Sequence, residues 1–324
     1  MGRFRSAGSM KRIQHTARRQ KFRDLCAVFF FLLLLPYACS LLFGKEGAVR
    51  ETVTIYEREG LMVAWEGEAG TLLLPLEEYV EGALAASISA ESEMETLKAQ
   101  AVILRTLCRR TWEEGDMQTD TVKANEVGQR YLDAAQRRLL WGEKYEENQA
   151  KMEEAVRQTA GMYLTLDGEI IEPAYFQLSA GKTRDGTEVL GEGYEYLVSV
   201  DCSHDVEAED YLGSSEWSKE RFWKLLGCDS SGKITLTRDS ADYVLFVDTQ
   251  AGRMSGESFR SLFGLASSCF TLEERGEKIR LTSKGIGHGL GFCQNEADRR
   301  AAQGEDFMAL LTDFFQGAEI QKTE

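Results

Sequence analysis

The hydrophobic pattern of the chain begins with one long apolar stretch and continues with much shorter apolar segments. Residues 25–43 are nineteen consecutive residues without a charged side chain. A helix of that length, at about 1.5 Å per residue, spans the roughly 30 Å hydrocarbon core of a bilayer. We therefore predict a transmembrane helix over 25–43. A cleaved signal peptide is the alternative, but the segment before it is long and no clear small-x-small cleavage site follows.

Beyond residue 44 the pattern predicts short strands mixed with amphipathic helices. Apolar segments separated by glycine in 61–74 indicate a hairpin, and Asp167-Gly168 predicts a second, two-residue hairpin turn. The apolar run 196–200 predicts a further strand. Because the strands and helices follow no repeating βαβ order, the predicted fold class is α+β.

One helix is predicted with particular clarity, over residues 96–112. Leu97, Ala101, Leu104 and Cys108 recur at the spacing of a single buried helix face. Just before them, the segment 92–95 has the S-x-x-E pattern of a capping box, which predicts where the helix begins.

Charge is distributed unevenly and adds a topology to this picture. Residues 1–24 contain eight basic residues and one acidic residue, a net charge of +7. Residues 45–324 contain 30 basic and 52 acidic residues, a net charge of −22, and the two segments together give the chain its total of −15. The positive-inside rule then leaves the tail, 1–24, in the cytoplasm and exports the domain, 45–320. We expect a single-pass membrane protein with a cytoplasmic N-terminus and an extracytoplasmic domain. The acidic domain argues against a nucleic-acid partner.

The cysteines predict neither a disulfide-built domain nor a metal centre. Five of the seven lie outside residues 25–43, an odd number at wide spacing. The pair Cys202 and His204 resembles a metal-binding fragment but lacks further ligands. We expect no metal and no cofactor, and we expect most cysteines to be small buried hydrophobic residues.

Three stretches, in order and at matching spacing, carry a family pattern. They are LEEYVEG (76–82) followed by LKAQAV (97–102) and RT (105–106); YF (175–176) and SAGKT (179–183) followed by YLVSVD (196–201); and GHGLG (287–291) with Gln294. Together they resemble the SpoIID/LytB family over roughly residues 50–320.

The resemblance implies a mixed α and β domain that cleaves peptidoglycan glycan strands as a lytic transglycosylase. It also implies work in sporulation, beside a cell-wall amidase and other membrane proteins. In that chemistry one carboxyl group protonates the glycosidic oxygen and then, as a base, helps the sugar's 6-hydroxyl close onto the anomeric carbon.

The sequence departs from the family at that catalytic carboxyl group. The position ten residues before Leu97, where the family has glutamate, is Ser87, and a serine hydroxyl cannot donate a proton near neutral pH as a carboxyl group does. Glu91 is the best substitute candidate, although solvation near a helix start also explains it. The Cys/His zinc cluster of some relatives has no counterpart in 118–129, which contains neither residue type.

Seven further residues are predicted to contact the glycan, because they belong to the matching motifs. They are Ser179, Gly181, Lys182, Thr183, His288, Gly289 and Gln294. The alternative is structural: Ser and Thr in such a loop bond their own backbone, and a lone histidine is more often structural than catalytic.

Three functions therefore stay open at this stage. The chain engages peptidoglycan with weakened or lost catalysis, or it is an active transglycosylase using a displaced carboxylate, or it is a non-catalytic membrane-anchored scaffold.

Overall fold

The computed structural model describes residues 60–67, 70–115, 119–228 and 232–323. The predicted cytoplasmic tail and membrane span lie outside these residues. Within the described ranges, no helix combines the length and hydrophobicity needed to cross a bilayer. Helices and strands are mixed along the chain, which confirms the predicted α+β class.

The first part of the domain is a three-stranded sheet followed by helices. Strand β1 pairs antiparallel with β2, which confirms the predicted hairpin, and parallel with β3. The elements are β1 (Met62–Gly67), β2 (Gly70–Pro75), α1 (Leu76–Ser87), α2 (Met94–Glu114), β3 (Thr121–Lys123), α3 (Ala124–Val127), α4 (Ala134–Trp141), a 3₁₀ turn (Gly142–Lys144) and α5 (Tyr145–Gln158).

The central part contains short strands and a long loop region. Its hairpin turns at Asp167 and Gly168, both with positive φ (51° and 87°), as the two-residue turn predicted from their sequence requires. The elements are β4 (Met162–Leu166), β5 (Glu169–Ile170), β6 (Tyr175–Phe176), α6 (Gly186–Leu190) and a 3₁₀ segment (Ser203–Glu207).

Two small sheets and two helices follow, with a hydrophobic core of their own that contains Phe222, Phe259 and Leu281. The elements are β7 (Leu212–Ser218), α7 (Lys219–Leu225), β8 (Thr235–Arg238), β9 (Val244–Thr249), β10 (Gly252–Ser255), α8 (Gly256–Phe263), β11 (Phe270–Arg275) and β12 (Lys278–Lys284).

The C-terminal segment returns to the first part of the domain. Strand β13 pairs parallel with β6, and β14 pairs antiparallel with β4. The elements are β13 (Phe292–Cys293), α9 (Gln294–Ala302), α10 (Phe307–Phe314) and β14 (Glu319–Lys322).

Helix α2 lies between two hydrophobic cores. Leu97, Ala101, Leu104 and Cys108 pack in one core with α1 and α5, as their spacing predicts. The intervening residues Ala99, Val102 and Ile103 pack in a second core with β13, α9 and α10. All residues from Thr96 to Thr106 are buried, so the helix has two buried faces where the sequence predicts one.

An ion pair between a buried arginine and a half-exposed glutamate joins α2 to α1 and to the start of β4. The Arg105 side chain is fully buried, and its Nε and Nη2 donate to the two carboxylate oxygens of Glu77 at 2.8 and 2.6 Å. Its Nη1 donates to the Met162 carbonyl at 3.0 Å, and Glu77 also accepts from the Gly161 N–H at 3.3 Å. Such a bidentate pair satisfies a charge that would be costly to bury alone.

Two predicted features of the chain are wrong. Helix α2 begins after Glu93 without a side-chain cap, so the predicted capping box does not form. Glu95 instead pairs with Lys98 at 2.5 Å and accepts from the Phe307 N–H at 3.0 Å, where α10 begins. The Glu95 carboxylate therefore stabilises the start of α10 and does not cap the start of α2.

The apolar run 196–200 is a loop and not the predicted strand. Its backbone bonds side chains and loop residues: the Val200 N–H donates to Thr183 Oγ1 at 2.8 Å, and the Leu197 carbonyl accepts from the Gly186 N–H at 2.7 Å. Leu197 is nevertheless buried in the core, which explains the apolar pattern.

Replacing Glu77 by alanine should destabilise the domain, because Arg105 would stay buried with only the Met162 carbonyl as a partner. We expect the free energy of unfolding to fall by about 3 kcal/mol, measured by denaturant unfolding followed by circular dichroism. The control is Glu78→Ala, an exposed glutamate in the same helix turn. Equal losses for the two variants would contradict this role for the Arg105–Glu77 pair.

Candidate functional site

A cleft of about 340 Å³ lies between the end of α1 and the start of α9. It is open to solvent on one side and is bounded by the C-terminal turn of α1, the loop before α2, the residue after β6 and the first turns of α9. The lining residues are Ala86, Ser87, Ile88, Ser89, Ser92, Gln177, Gln294, Asn295 and Asp298.

Ser87, where the family resemblance predicts a catalytic glutamate, lines this cleft. It is the last residue of α1 and is partly buried, and its hydroxyl donates to the Leu84 carbonyl at 3.1 Å. Burial raises the pKa of the nearby Tyr175, and a hydrogen bond with Ser87 opposes that rise. Tyr175 is itself held by Gln129, to whose side-chain oxygen it donates at 2.5 Å.

Gln294, another predicted site residue, connects the two walls of the cleft. Its amide nitrogen donates to the Ser87 carbonyl at 3.0 Å and to the side-chain oxygen of Gln100 at 3.1 Å. Gln100 and Gln294 are both buried. These two bonds bring together residues from the first and third matching motifs, which are almost 200 positions apart.

The cleft lining consists mostly of uncharged polar groups and small apolar side chains. Among its nine lining residues the one carboxylate is that of Asp298, which accepts from the Glu93 N–H at 2.7 Å. Gln177 and Asn295 are exposed at the rim. Hydroxyl and amide groups can donate and accept hydrogen bonds with a neutral polar ligand such as a sugar.

Glu91, the substitute acid candidate, does not line this cleft. Its side chain is 76% exposed and pairs with Lys144 at 3.0 Å. The hydrogen bond from Lys144, together with its charge, lowers the pKa of Glu91 below the ordinary value. A general acid needs the opposite shift, so this arrangement keeps Glu91 ionised.

The loop 179–183 lies behind the cleft wall and not among the lining residues. Ser179 and Thr183 are fully buried. Ser179 Oγ accepts from the Gly181 N–H at 3.0 Å, and the Thr183 hydroxyl donates to the Val198 carbonyl at 3.0 Å. Gly181 has a φ of 121°, which an L side chain rarely adopts, and Lys182 is exposed. Ser179 and Thr183 thus bond the protein's own backbone.

The buried carboxylate of Asp205 joins this loop to α9. It accepts from the Ser179 N–H at 2.8 Å, the Asn295 side-chain amide at 2.8 Å and the Cys293 thiol at 3.1 Å. The Asn295 side chain is thereby fixed at the rim of the cleft. Sequence reasoning missed Asp205, because an aspartate in a polar segment gives no signal of burial.

His288 and Gly289 are likewise absent from the cleft lining. The His288 ring packs on Phe176 with centroids 5.7 Å apart, and its Nδ1 accepts from the Leu290 N–H at 3.1 Å. Gly289 has positive φ, and a Cβ there would lie 2.6 Å from the ring of Tyr243. The Gly289 carbonyl also accepts from the Arg184 N–H at 2.8 Å. Both residues therefore make structural contacts with their neighbours.

The cleft residues that sequence reasoning missed include Gln177, Asn295 and Asp298. A signal existed for the first two: Gln177 lies between two matching motif segments, and Asn295 directly follows Gln294. Asp298 faces the cleft from the next turn of α9, which required knowledge of where that helix begins.

We predict that His288 makes stability depend on pH. Burial holds its pKa below the ordinary 6.5, so the unfolded chain binds a proton that the folded chain does not. The stability associated with neutral His288 is present above pH 6.5 and is lost as the pH falls below it. His288→Asn should flatten the fall in unfolding free energy below pH 6.5, whereas the same substitution at exposed His204 should not. An unchanged slope in His288→Asn would contradict this.

Comparisons with known proteins agree with the motifs. The family model SpoIID, described as stage II sporulation protein, matches residues 69–166, which include both α1 and α2. Stage II sporulation protein D of Bacillus amyloliquefaciens is 30% identical over 263 residues, covering 78% of this chain and 75% of that protein. Its counterpart from Bacillus subtilis (strain 168) is 28% identical over 263 residues, covering 78% and 76%.

A more distant similarity is to an uncharacterized protein of Brachyspira hyodysenteriae, 25% identical over 263 residues, covering 76% of this chain and 67% of that protein. The Bacillus amyloliquefaciens relative is 30% identical over most of both chains, which is enough to show a common family. The chain therefore belongs to the SpoIID family of sporulation proteins.

Proposed function

We propose that this SpoIID-family protein engages peptidoglycan glycan strands through the cleft at Ser87 and does so with catalysis lost or strongly weakened. The observation that carries the proposal is that Ser87 lies in an open cleft with a mostly uncharged polar lining, and that a hydroxyl stands where the reaction needs a carboxyl group. A cleft of this kind suits a neutral, N-acetylated sugar, because amide and hydroxyl groups can pair with it.

The membrane topology predicted from the sequence also supports this proposal. The basic segment 1–24 and the apolar segment 25–43 favour a cytoplasmic N-terminus and a membrane anchor, with the domain on the outer side where peptidoglycan is found. A glycan backbone does not require a basic surface, so the acidic domain is compatible with it. Partners of this anchored protein would be a cell-wall amidase and other membrane proteins of a sporulation complex.

An active transglycosylase with a displaced carboxylate is a weaker candidate. Glu91 is exposed, outside the cleft and held ionised by Lys144. Asp298 is within the cleft, but its carboxylate already accepts a hydrogen bond from the Glu93 N–H at 2.7 Å. Glu91 has a lowered pKa, whereas a general acid needs a raised one. The remaining alternative, a membrane-anchored scaffold, predicts no binding to peptidoglycan at all.

Restoring the acid should restore some activity. We expect Ser87→Glu to release soluble 1,6-anhydro products from purified glycan strands, because a glutamate there is partly buried and lies near the Tyr175 hydroxyl. The wild-type chain should release none. The measurement is mass spectrometry of products after incubation with the full-length protein.

The matched control is Ser89→Glu, which adds the same carboxylate two residues further along the same cleft. It should stay inactive, because position 89 is exposed and does not contact Tyr175 or Leu84 in the way that Ser87 does. Release of 1,6-anhydro products by the wild type would overturn the loss of catalysis. No gain in Ser87→Glu would show that the cleft has lost more than one catalytic group.

Binding should depend on the amide at the rim. Gln177→Ala is expected to weaken co-sedimentation of the full-length protein with purified peptidoglycan by about three- to tenfold, the effect of losing one or two hydrogen bonds. The control is Gln250→Ala, an exposed glutamine in the turn between β9 and β10, outside the cleft. Absence of co-sedimentation in the wild type would favour the scaffold.

A further inference from the structure

Behind the cleft wall, two thiols and a carboxylate meet in the protein interior. Cys202, Asp205 and Cys293 are each fully buried. Their Sγ and carboxylate oxygen atoms all lie within 4.8 Å of one another, and Cys293 Sγ is 3.1 Å from Asp205 Oδ2. They come from two segments about 90 residues apart: the 3₁₀ segment with the residue before it, and the end of β13.

The charge of this cluster is unusual for the interior. All three hydrogen bonds to the Asp205 carboxylate within the described part of the chain come from uncharged donors: a backbone N–H, a side-chain amide and a thiol. Buried carboxylates are ordinarily paired with a cation or bound to a metal. Asp205 thus places a carboxylate in the interior without a cationic hydrogen-bond donor among the described residues.

The geometry suits a tetrahedral divalent cation. With zinc–ligand distances of about 2.0–2.3 Å, neighbouring ligand atoms lie roughly 3.5–3.8 Å apart, a spacing that small side-chain movements of this cluster would reach. Thiolate ligands select zinc over magnesium or calcium. Exchanging two thiol protons for one Zn²⁺ also leaves the net charge of the buried cluster unchanged.

We propose that Cys202, Asp205 and Cys293 form a zinc site. Each cysteine loses its proton to solvent as the Sγ–Zn bond forms, Asp205 binds through a carboxylate oxygen, and the fourth position is left for a water molecule. This departs from the expectation that the chain binds no metal. The sequence pairs Cys202 with His204, but His204 is exposed, and the fold brings Cys202 to Cys293 instead.

The site would fix the wall of the cleft. Cys293 directly precedes Gln294 and Asn295, both of which line the cleft, and Asp205 bonds Asn295 and the loop at Ser179. Zinc would cross-link these segments from behind, without contacting a ligand in the cleft. Zinc binding by this cluster would not depend on glycan binding in the cleft.

The test is metal titration of the reduced, chelator-stripped full-length protein. Co²⁺ serves as the probe, because thiolate ligation gives a sulfur-to-metal absorption band and tetrahedral geometry gives intense visible bands. We expect one Co²⁺ per chain, displaced by Zn²⁺, and a higher melting temperature with Zn²⁺ present. Absence of the thiolate band in the wild type would overturn the proposal, whatever the variants do.

Variants then assign the ligands. Cys202→Ser and Cys293→Ser should each abolish the two-thiolate spectrum and weaken Zn²⁺ binding by at least about a hundredfold, since loss of an outer-shell partner alone costs about 10–100-fold. Asp205→Asn should weaken binding while retaining the thiolate band.

The matched control is Cys269→Ser. Cys269 is a buried thiol whose Sγ lies 4.0 Å from a carboxylate oxygen of Asp242, but it lies outside the three-residue cluster. Its variant should bind Co²⁺ like the wild type. An equal loss of the band in Cys269→Ser would overturn the assignment. A Cys202–Cys293 disulfide in protein purified anaerobically with Zn²⁺ would also overturn it.

Discussion

The cleft depends on the buried carboxylate of Asp205. Its hydrogen bonds join two segments of the chain: the loop at Ser179, and the junction of β13 and α9 at Cys293 and Asn295. Strand β13, which leads into this junction, has only two residues. A short strand pair gives little stability of its own. The bonds of Asp205, together with the backbone bond from the Asn295 N–H to the Gln177 carbonyl, therefore position Gln294 and Asn295 at the cleft.

The opposite wall is held differently, by packing and one ion pair. Helix α2 is buried on two faces, and Arg105 fixes α1 against it through Glu77. Ser87 therefore stands at the end of a rigid helix, where a substituted side chain would be held in one place. Gln294 then joins the two walls across the cleft. Rigid support of this kind is what a single added carboxyl group would need in order to act as an acid.

The sequence predicts those features that depend on residues close together in the chain, and it fails for features that depend on contacts between distant segments. The hairpins and α2 follow from local pattern and turn chemistry, and the structure confirms them. The predictions of a capping box and of a strand at 196–200 are wrong because tertiary hydrogen bonds replace local ones. Glu95 accepts from the Phe307 N–H, and the loop at Val200 bonds Thr183. The cluster at Asp205 has no local signal at all, since its members meet only after folding.

Several residues of the matching motifs hold the fold together, so their presence is not by itself evidence for ligand binding. Glu77, Gln100 and Arg105 hold the helices, Ser179 and Thr183 bond loop backbone, and Gly289 fits where a side chain would collide with Tyr243. The fold therefore needs these residues with or without a ligand. Side chains that are exposed at the cleft and do not hold the fold together are therefore the ones that indicate binding. Gln177 is such a group, since its side chain is exposed at the rim of an open polar cleft.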